Sequence, residues 1–134
     1  MSRDTQMLRD AYEALNREEW DRSDEFMHPE ISWDFVEGQG PDVPETLRGP
    51  TAIVEFWTWF FAAWEEWEMA PQEFVETPEG TLLVPIHFRA KGAGSGFPME
   101  LDFCQVITVR EGRIHHVDQY LSRESASKAC GLEG

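Results

Sequence analysis

Residues 51–67 carry the strongest pattern in this chain, because bulky apolar side chains recur there at every third or fourth position. This spacing predicts one helix with a broad, almost wholly aromatic face. The apolar positions are Ile53, Phe56, Trp57, Phe60, Phe61 and Trp64. A face of this size needs a large concave partner, so we expect a curved surface elsewhere in the fold to cover it.

Five apolar or alternating runs predict the strands of that surface. They span residues 31–36, 69–76, 81–91, 97–110 and 113–121. In the first run, strand geometry places Ile31, Trp33 and Phe35 on one face and Ser32, Asp34 and Val36 on the other. Short turn-forming segments separate the last four runs, at residues 77–80, 92–96 and 111–112. Hairpin turns of this kind make neighbouring strands antiparallel.

Three further helices are predicted, at residues 3–16, 18–27 and 123–130, and Pro29 is expected to stop the second of them. Residues 37–50 contain three prolines and three glycines, which is typical of a loop. With no βαβ crossover in this order, we expect an α+β fold in which a curved antiparallel sheet packs on helices. Residues 1–134 are predicted to form a single domain.

Composition narrows the choice of partner. The 134 residues include 11 Lys and Arg against 26 Asp and Glu, a formal net charge of −15. That charge repels phosphate backbones and anionic lipids, so neither nucleic acid nor a membrane surface is expected as a partner. No apolar run approaches the 18 residues of a membrane span and none resembles a signal peptide, which predicts a cytoplasmic protein. Cys104 and Cys130 lie far apart, so they predict neither a disulfide nor a zinc site.

Histidine and carboxylate patterns give two candidate chemistries. His115 and His116 point to opposite faces of their strand and cannot share a metal. His116 and Asp118 share a face, as two ligands of an iron site would, with His28 or His87 as a conceivable third ligand. The HxD spacing often arises by accident and a solvated strand face is the simpler explanation of this pair, so we predict no metal and no cofactor.

Asp34 is the sharper candidate. Trp33 and Phe35 flank it, and a carboxylate on a strand covered on both faces would be desolvated and suited to act as a general base. Alternatively, Asp34 caps the following loop or faces water.

Several stretches together resemble the SnoaL-like branch of the nuclear transport factor 2-like (NTF2-like) superfamily. The matching stretches are 12–16 (YEALN), 28–33 (HPEISW), 47–50 (LRGP), 63–66 (AWEE), 94–96 (GSG), 110–114 (REGRI), 120–124 (YLSRE) and 131–132 (GL). The resemblance implies a cone in which the curved sheet wraps the long helix and leaves a pocket. Ketosteroid isomerases, limonene epoxide hydrolases and polyketide cyclases use this pocket, and other members only bind in it.

The resemblance also implies roles for individual residues. Asp34 falls where isomerases carry their proton-abstracting aspartate, and Tyr12 falls one residue from the place of their tyrosine. Gln119 falls where hydrolases and cyclases carry an acid, and an amide cannot shuttle a proton. Neither mechanism therefore transfers as a whole.

We arrive at two main hypotheses. In the first, Asp34 or His115 moves a proton while Gln105 or Gln119 holds the developing oxyanion of an apolar molecule that bears a carbonyl or hydroxyl. The remaining predicted substrate-binding residues are Ser32, Trp33, Trp57 and Phe60. In the second, the same pocket binds a small molecule without turnover. A third interpretation is a dimeric scaffold, since Trp59 lies off the aromatic face. A homodimer is also expected under the two main hypotheses.

Overall fold

The computed structural model describes residues 2–37 and 43–132. Helix α1 (Arg3–Asn16) begins after Ser2, whose hydroxyl accepts a hydrogen bond from the Thr5 N–H at 3.1 Å. Further along the chain are α2 (Ser23–Phe26), α3 (Pro50–Phe61) and α4 (Arg123–Ala129). The helix predicted at 18–27 is thus reduced to a 3₁₀ turn (Trp20–Arg22) and one α-helical turn. Strand pairing begins before Pro29, so the proline lies inside a strand instead of stopping a helix.

Seven strands form one curved, unclosed sheet. They are β1 (Met27–Phe35), β2 (Thr46–Arg48), β3 (Trp64–Pro71), β4 (Val75–Glu76), β5 (Leu82–Gly92), β6 (Pro98–Arg110) and β7 (Arg113–Tyr120). Their order across the sheet is β2-β1-β7-β6-β5-β3, and β4 pairs with the first two residues of β5. The mixed architecture confirms the predicted α+β fold class.

One strand pair differs from the expected antiparallel pattern. β1 and β7 run parallel, with Trp33 opposite Val117 and Asp34 opposite Asp118. The turn before β7 follows expectation, because Glu111 and Gly112 both adopt positive φ angles, 55° and 76°, as a two-residue hairpin requires. The two parallel strands are connected by the long stretch of chain between them and not by a tight turn. No short sequence motif therefore predicts their pairing.

Helix α3 ends at Phe61, six residues before the predicted end at residue 67. From Trp64 onward the chain pairs with β5 as β3, and the Trp67 ring stacks on Phe61 with ring centroids 3.6 Å apart. Aromatic residues therefore continue along the sequence while the backbone changes from helix to strand. Pairing along β5 outweighs the local helical spacing in this segment.

The segment predicted as a loop at 37–50 contains a short strand, β2, which pairs with β1. Residues 38–42 of that loop lie outside the described residues. Within the described part of the chain, no helix combines the length and the apolar character needed to cross a bilayer.

The concave face of the sheet packs on α3. Ile31, Trp33 and Phe35 of β1 are buried on this face, as the alternation predicts. Trp33 contacts Trp57 edge-on with ring centroids 5.5 Å apart, and Phe35 contacts Phe56 at 5.2 Å. The aromatic face of α3 and the inner face of the sheet therefore share one core.

Candidate functional site

Two small cavities lie beside α3 in this core. The first cavity, of about 80 Å³, lies between the three N-terminal helices and the inner face of the sheet. Its lining is Ala11, Tyr12, Ala14, Leu15, Glu19, Trp20, Ser23, Phe26, Met27, Trp33, Ile53, Trp57, Gln105, Ile107, Ile114 and Val117. Most of these side chains are apolar, so the few polar ones decide what the cavity recognises.

The second cavity, of about 120 Å³, lies between α3 and strands β3, β5 and β6. It is lined by Phe35, Val43, Phe56, Trp57, Phe60, Met69, Phe88, Met99, Leu101, Phe103 and Gln119. Trp57 lines both cavities and is 4% exposed. A rotation of its indole would change the shape of both.

A chain of buried polar groups, which we call the relay, connects the two cavities. The Tyr12 hydroxyl donates to Gln105 Oε1 at 2.6 Å, and Gln105 Nε2 donates to Gln119 Oε1 at 3.0 Å. Gln105 and Gln119 are direct partners across β6 and β7, while Tyr12 reaches them from α1. The relay therefore joins Tyr12 and Gln105 of the first cavity to Gln119 of the second.

Burial explains why the relay consists of uncharged groups. Gln105 and Gln119 are each 3% exposed, and burying a charge there would cost far more than burying an amide that is hydrogen-bonded. Burial also raises the pKa of the Tyr12 phenol well above its usual value, so the hydroxyl stays protonated and able to donate.

Two hydrogen-bond donors near the cavities have no partner among the described residues. Gln119 Nε2 donates to no acceptor there, and its residue lines the second cavity. Trp33 Nε1 is buried without a hydrogen bond, on a residue that lines the first cavity. An unpaired buried donor costs about 1–3 kcal/mol, and a ligand oxygen that accepts from it would remove that cost.

Five of the predicted site residues line these cavities. Trp33, Trp57 and Gln105 line the first, and Phe60 and Gln119 line the second together with Trp57. Their part in ligand binding stays a prediction.

Asp34 lies on the opposite face of the sheet, and the expectation that it faces the pocket is wrong. Its side chain is 41% exposed, Thr46 Oγ1 donates to its Oδ1 at 2.8 Å, and its Oδ2 lies 3.6 Å from His116 Nε2. Strand alternation causes this, because Trp33 next to it occupies the apolar inner face. A carboxylate in this place cannot take a proton from a molecule in either cavity.

Ser32 and His115 also lie outside both linings. Ser32 shares the outer face with Asp34, and its Oγ lies 2.6 Å from His116 Nδ1. His115 falls where the β6–β7 register shifts, so it is left without a cross-strand partner. Its ring contacts His28 edge-on, with ring centroids 4.9 Å apart. The irregular register thus removes His115 from the inner face on which it was expected.

Residues 8–117 match the family model of the SnoaL-like domain. The chain belongs to the SnoaL-like domain family. The resemblance to the NTF2-like superfamily drawn from the sequence is thereby confirmed. No curated protein has a sequence that matches this SnoaL-like domain.

Solved structures share its fold over nearly the whole chain. An NTF2-like protein of unknown function from Burkholderia pseudomallei is 23% identical, with 97% of this chain and 98% of that chain covered and a TM-score of 0.77. TerC, co-crystallised with polyporic acid, is 21% identical, with 97% and 99% covered and a TM-score of 0.76. IdmH from Streptomyces antibioticus, a proposed polyketide cyclase, is 20% identical, with 87% and 89% covered and a TM-score of 0.71. At these identities the likeness concerns the fold.

Sequence reasoning missed three polar residues of the first cavity in this SnoaL-like domain, namely Tyr12, Glu19 and Ser23. The apolar side of α1 gave a signal for Tyr12, because it shares that side with Leu8 and Leu15. Glu19 and Ser23 belong to the irregular segment after α1, where no periodicity reveals which side chains point inward.

Proposed function

We propose that this SnoaL-like domain binds a small molecule with an apolar skeleton and one carbonyl or hydroxyl group, in the first cavity. The relay carries the proposal, because it brings buried, uncharged hydrogen-bonding groups to a mostly apolar lining. An apolar core of the same volume would be at least as stable.

The polar groups indicate how the ligand oxygen would bind. The Tyr12 oxygen donates its proton to Gln105 and retains lone pairs, so it can accept a hydrogen bond from a ligand hydroxyl. A ligand carbonyl would instead accept from a donor such as Trp33 Nε1. The apolar skeleton would contact Ile53 and Ile107 of the lining.

Cavity size limits the ligand. Sites for drug-sized molecules enclose about 300–1,000 Å³, whereas the first cavity holds about 80 Å³. A compact ligand fits the site best, and a longer one requires Trp57 to turn and connect the two cavities. The relative crystallised with polyporic acid supports ligand binding within this fold.

Proton-transfer chemistry is a second candidate function, which Glu19 favours. Among the described residues, Glu19 is the one that brings a carboxylate to the lining of the first cavity. It pairs with Arg22 at 3.1 Å, and Trp33, whose Nε1 is an unpaired donor, lies in the same lining. Glu19 as base and Trp33 Nε1 as oxyanion donor would suit an isomerase-like or cyclase-like step, in line with the proposed cyclase IdmH.

Matched probe pairs test the binding proposal. We expect phenol to bind more tightly than benzene, and cyclohexanone more tightly than cyclohexane, in titrations followed by NMR shifts of the indole N–H groups. One gained hydrogen bond of about 1 kcal/mol corresponds to about a fivefold difference in Kd. The variant Tyr12→Phe should remove the preference for phenol.

Asp34→Asn is the control, because it changes a polar group on β1 next to Trp33 but on the outer face, and it should leave the preference intact. The proposal would be contradicted if both members of each pair bind equally tightly, or if none of the four probes binds. Glu19→Gln separates the two functions. If cyclohexanone is enolised by the wild type, loss of this reaction with unchanged affinity for cyclohexanone would support proton transfer. A fall in the affinity for the probe alone would support binding.

A further inference from the structure

Three side chains that can bind a metal meet on the outer face of the sheet, away from both cavities. The parallel register places Asp34 of β1 beside Asp118 of β7, and Ser32 beside His116. One ligand atom each from Asp34, His116 and Asp118 lies within 4.8 Å of the others. We call these three residues the outer cluster.

The distances in the outer cluster match those between the ligands of one metal ion. His116 Nε2 lies 2.8 Å from Asp118 Oδ1 and 3.6 Å from Asp34 Oδ2. Ligands that each lie ~2.1 Å from a metal are separated by about 3.0–3.4 Å in octahedral or tetrahedral geometry. A cation among the three atoms therefore needs only small side-chain rotations.

Hydroxyl groups already orient two of the three ligands. Ser32 Oγ lies 2.6 Å from His116 Nδ1, which leaves Nε2 directed at the carboxylates. Thr46 Oγ1 donates to Asp34 Oδ1, which leaves Oδ2 directed at His116. Metal-binding histidines usually have this second contact at the other ring nitrogen, and it fixes both tautomer and ring orientation.

Charge around the outer cluster favours a cation. Two carboxylates lie directly opposite each other on neighbouring strands, an arrangement that is destabilising without a positive partner. Among the described residues no Lys or Arg lies within 4.0 Å of either carboxylate. Arg48 lies across from Ser32 on this face and makes no such ion pair.

We propose that the outer cluster binds one divalent first-row transition cation such as Zn²⁺, through His116 Nε2 and one oxygen each of Asp34 and Asp118. One imidazole and two carboxylates suit such an ion, and water would complete its coordination because all three side chains are partly exposed. The bound ion joins β1 to β7. This site is independent of the function proposed for the cavities.

A serine nucleophile is the less suitable interpretation of the same contacts. In Ser-His-Asp triads the hydroxyl contacts Nε2 and the carboxylate contacts Nδ1, whereas here the two are exchanged. Ser32 also lies in the middle of β1, without the sharp strand-to-helix turn that presents a nucleophile.

A second histidine cluster provides a matched control. His87 also contacts two carboxylates, but Asp102 binds its Nδ1 at 2.6 Å and Glu100 binds its Nε2 at 2.9 Å. The two carboxylates thus lie on opposite edges of the ring. Both clusters contain one imidazole and two acids, yet only the outer cluster, among the described residues, brings three ligand atoms together.

The test is a calorimetric titration of the untagged, EDTA-treated full chain with Zn²⁺, repeated by competition against a chromogenic chelator. We expect one Zn²⁺ per chain, and no comparable binding of Mg²⁺, which prefers oxygen ligands. His116→Gln and Asp118→Asn should each weaken binding by about 100-fold, and Ser32→Ala by about 10-fold through lost orientation of the imidazole.

His87→Gln should leave the Zn²⁺ affinity unchanged, with circular dichroism used to verify that every variant is folded. The proposal is overturned if the wild type binds no Zn²⁺, or if His87→Gln weakens binding as much as His116→Gln does. Phenol binding in the first cavity should be the same with and without Zn²⁺, so failure of either proposal is recognisable separately.

Discussion

Trp33 and Asp34 are neighbours on β1, and Asp118 and Gln119 are neighbours on β7, yet each pair divides between the two faces of the sheet. Trp33 and Gln119 point inward and are 8% and 3% exposed. The side chains of Asp34 and Asp118 point outward and are 41% and 33% exposed. One step along a strand thus separates uncharged hydrogen-bonding groups from carboxyl groups.

The contrast shows how burial assigns chemistry to the two faces. An isolated carboxylate in the core would lose its hydration without compensation, whereas the two amides of the relay are joined by a hydrogen bond. Recognition of a ligand oxygen by hydrogen bonds therefore suits the inner face. Binding of an ion suits the outer face.

Trp57→Ala tests the inner face with the largest expected effect. Trp57 is buried between the two cavities, and removing its indole should lower the free energy of unfolding by about 3–5 kcal/mol, measured by urea denaturation. The matched control is Trp59→Ala, since Trp59 lies on the same helix and is 56% exposed. A similar loss of stability in both variants would contradict the expectation that the buried Trp57 contributes more to stability than the exposed Trp59.

Gln105→Leu tests the relay itself. The change leaves the Tyr12 hydroxyl and Gln119 Oε1 without their partner, which should lower the free energy of unfolding by about 3 kcal/mol. Asp34→Asn, on the exposed face, should change it by less than about 0.5 kcal/mol. Urea unfolding followed by tryptophan fluorescence measures both, and equal losses would remove the distinction between the two faces.

His87→Gln tests the outer face and should have the smallest effect on stability. Hydrogen bonds to Asp102 and then to Glu100 raise the pKa of His87 in the folded protein. A raised folded pKa stabilises the protein fully below the pKa of the unfolded imidazole, about 6.5, and the effect is lost as the pH rises through the folded value. The wild type should therefore exceed His87→Gln in Tm at acidic pH, with the difference fading above neutrality. A difference that is constant with pH would contradict this assignment.

Much of the fold could be predicted from the sequence because its signals are local. Apolar spacing located α1 and the start of α3, and alternation assigned the two faces of β1. The end of α3 and the parallel pairing of β1 with β7 depend on partners far away in the chain, which local patterns do not encode. Misplacing Trp64 and Trp67 in a helix follows from this, since their spacing suits a helix as well as a strand.

The site was harder to predict than the fold. Alternation along β1 puts Asp34 on the other face of the sheet from Trp33. Because the apolar residues of β1 face inward, Asp34 points outward, whereas the family resemblance suggested that it faces the pocket. Gln105 and Gln119 lie in the cavity linings, on the apolar faces of their strands, and their part in ligand binding stays a prediction. The homodimer and the cytoplasmic location stay predictions.

The parallel pairing of β1 with β7 also has a consequence for how the molecule assembles. The Ser32–His116 contact spans 84 positions of the chain. The ribosome must therefore synthesise the chain as far as β7 before these two strands meet, and the loop-closure entropy makes their docking a late event. Until then the edge of β1 is exposed, so a nascent chain paused before residue 113 is the form most at risk of aggregation.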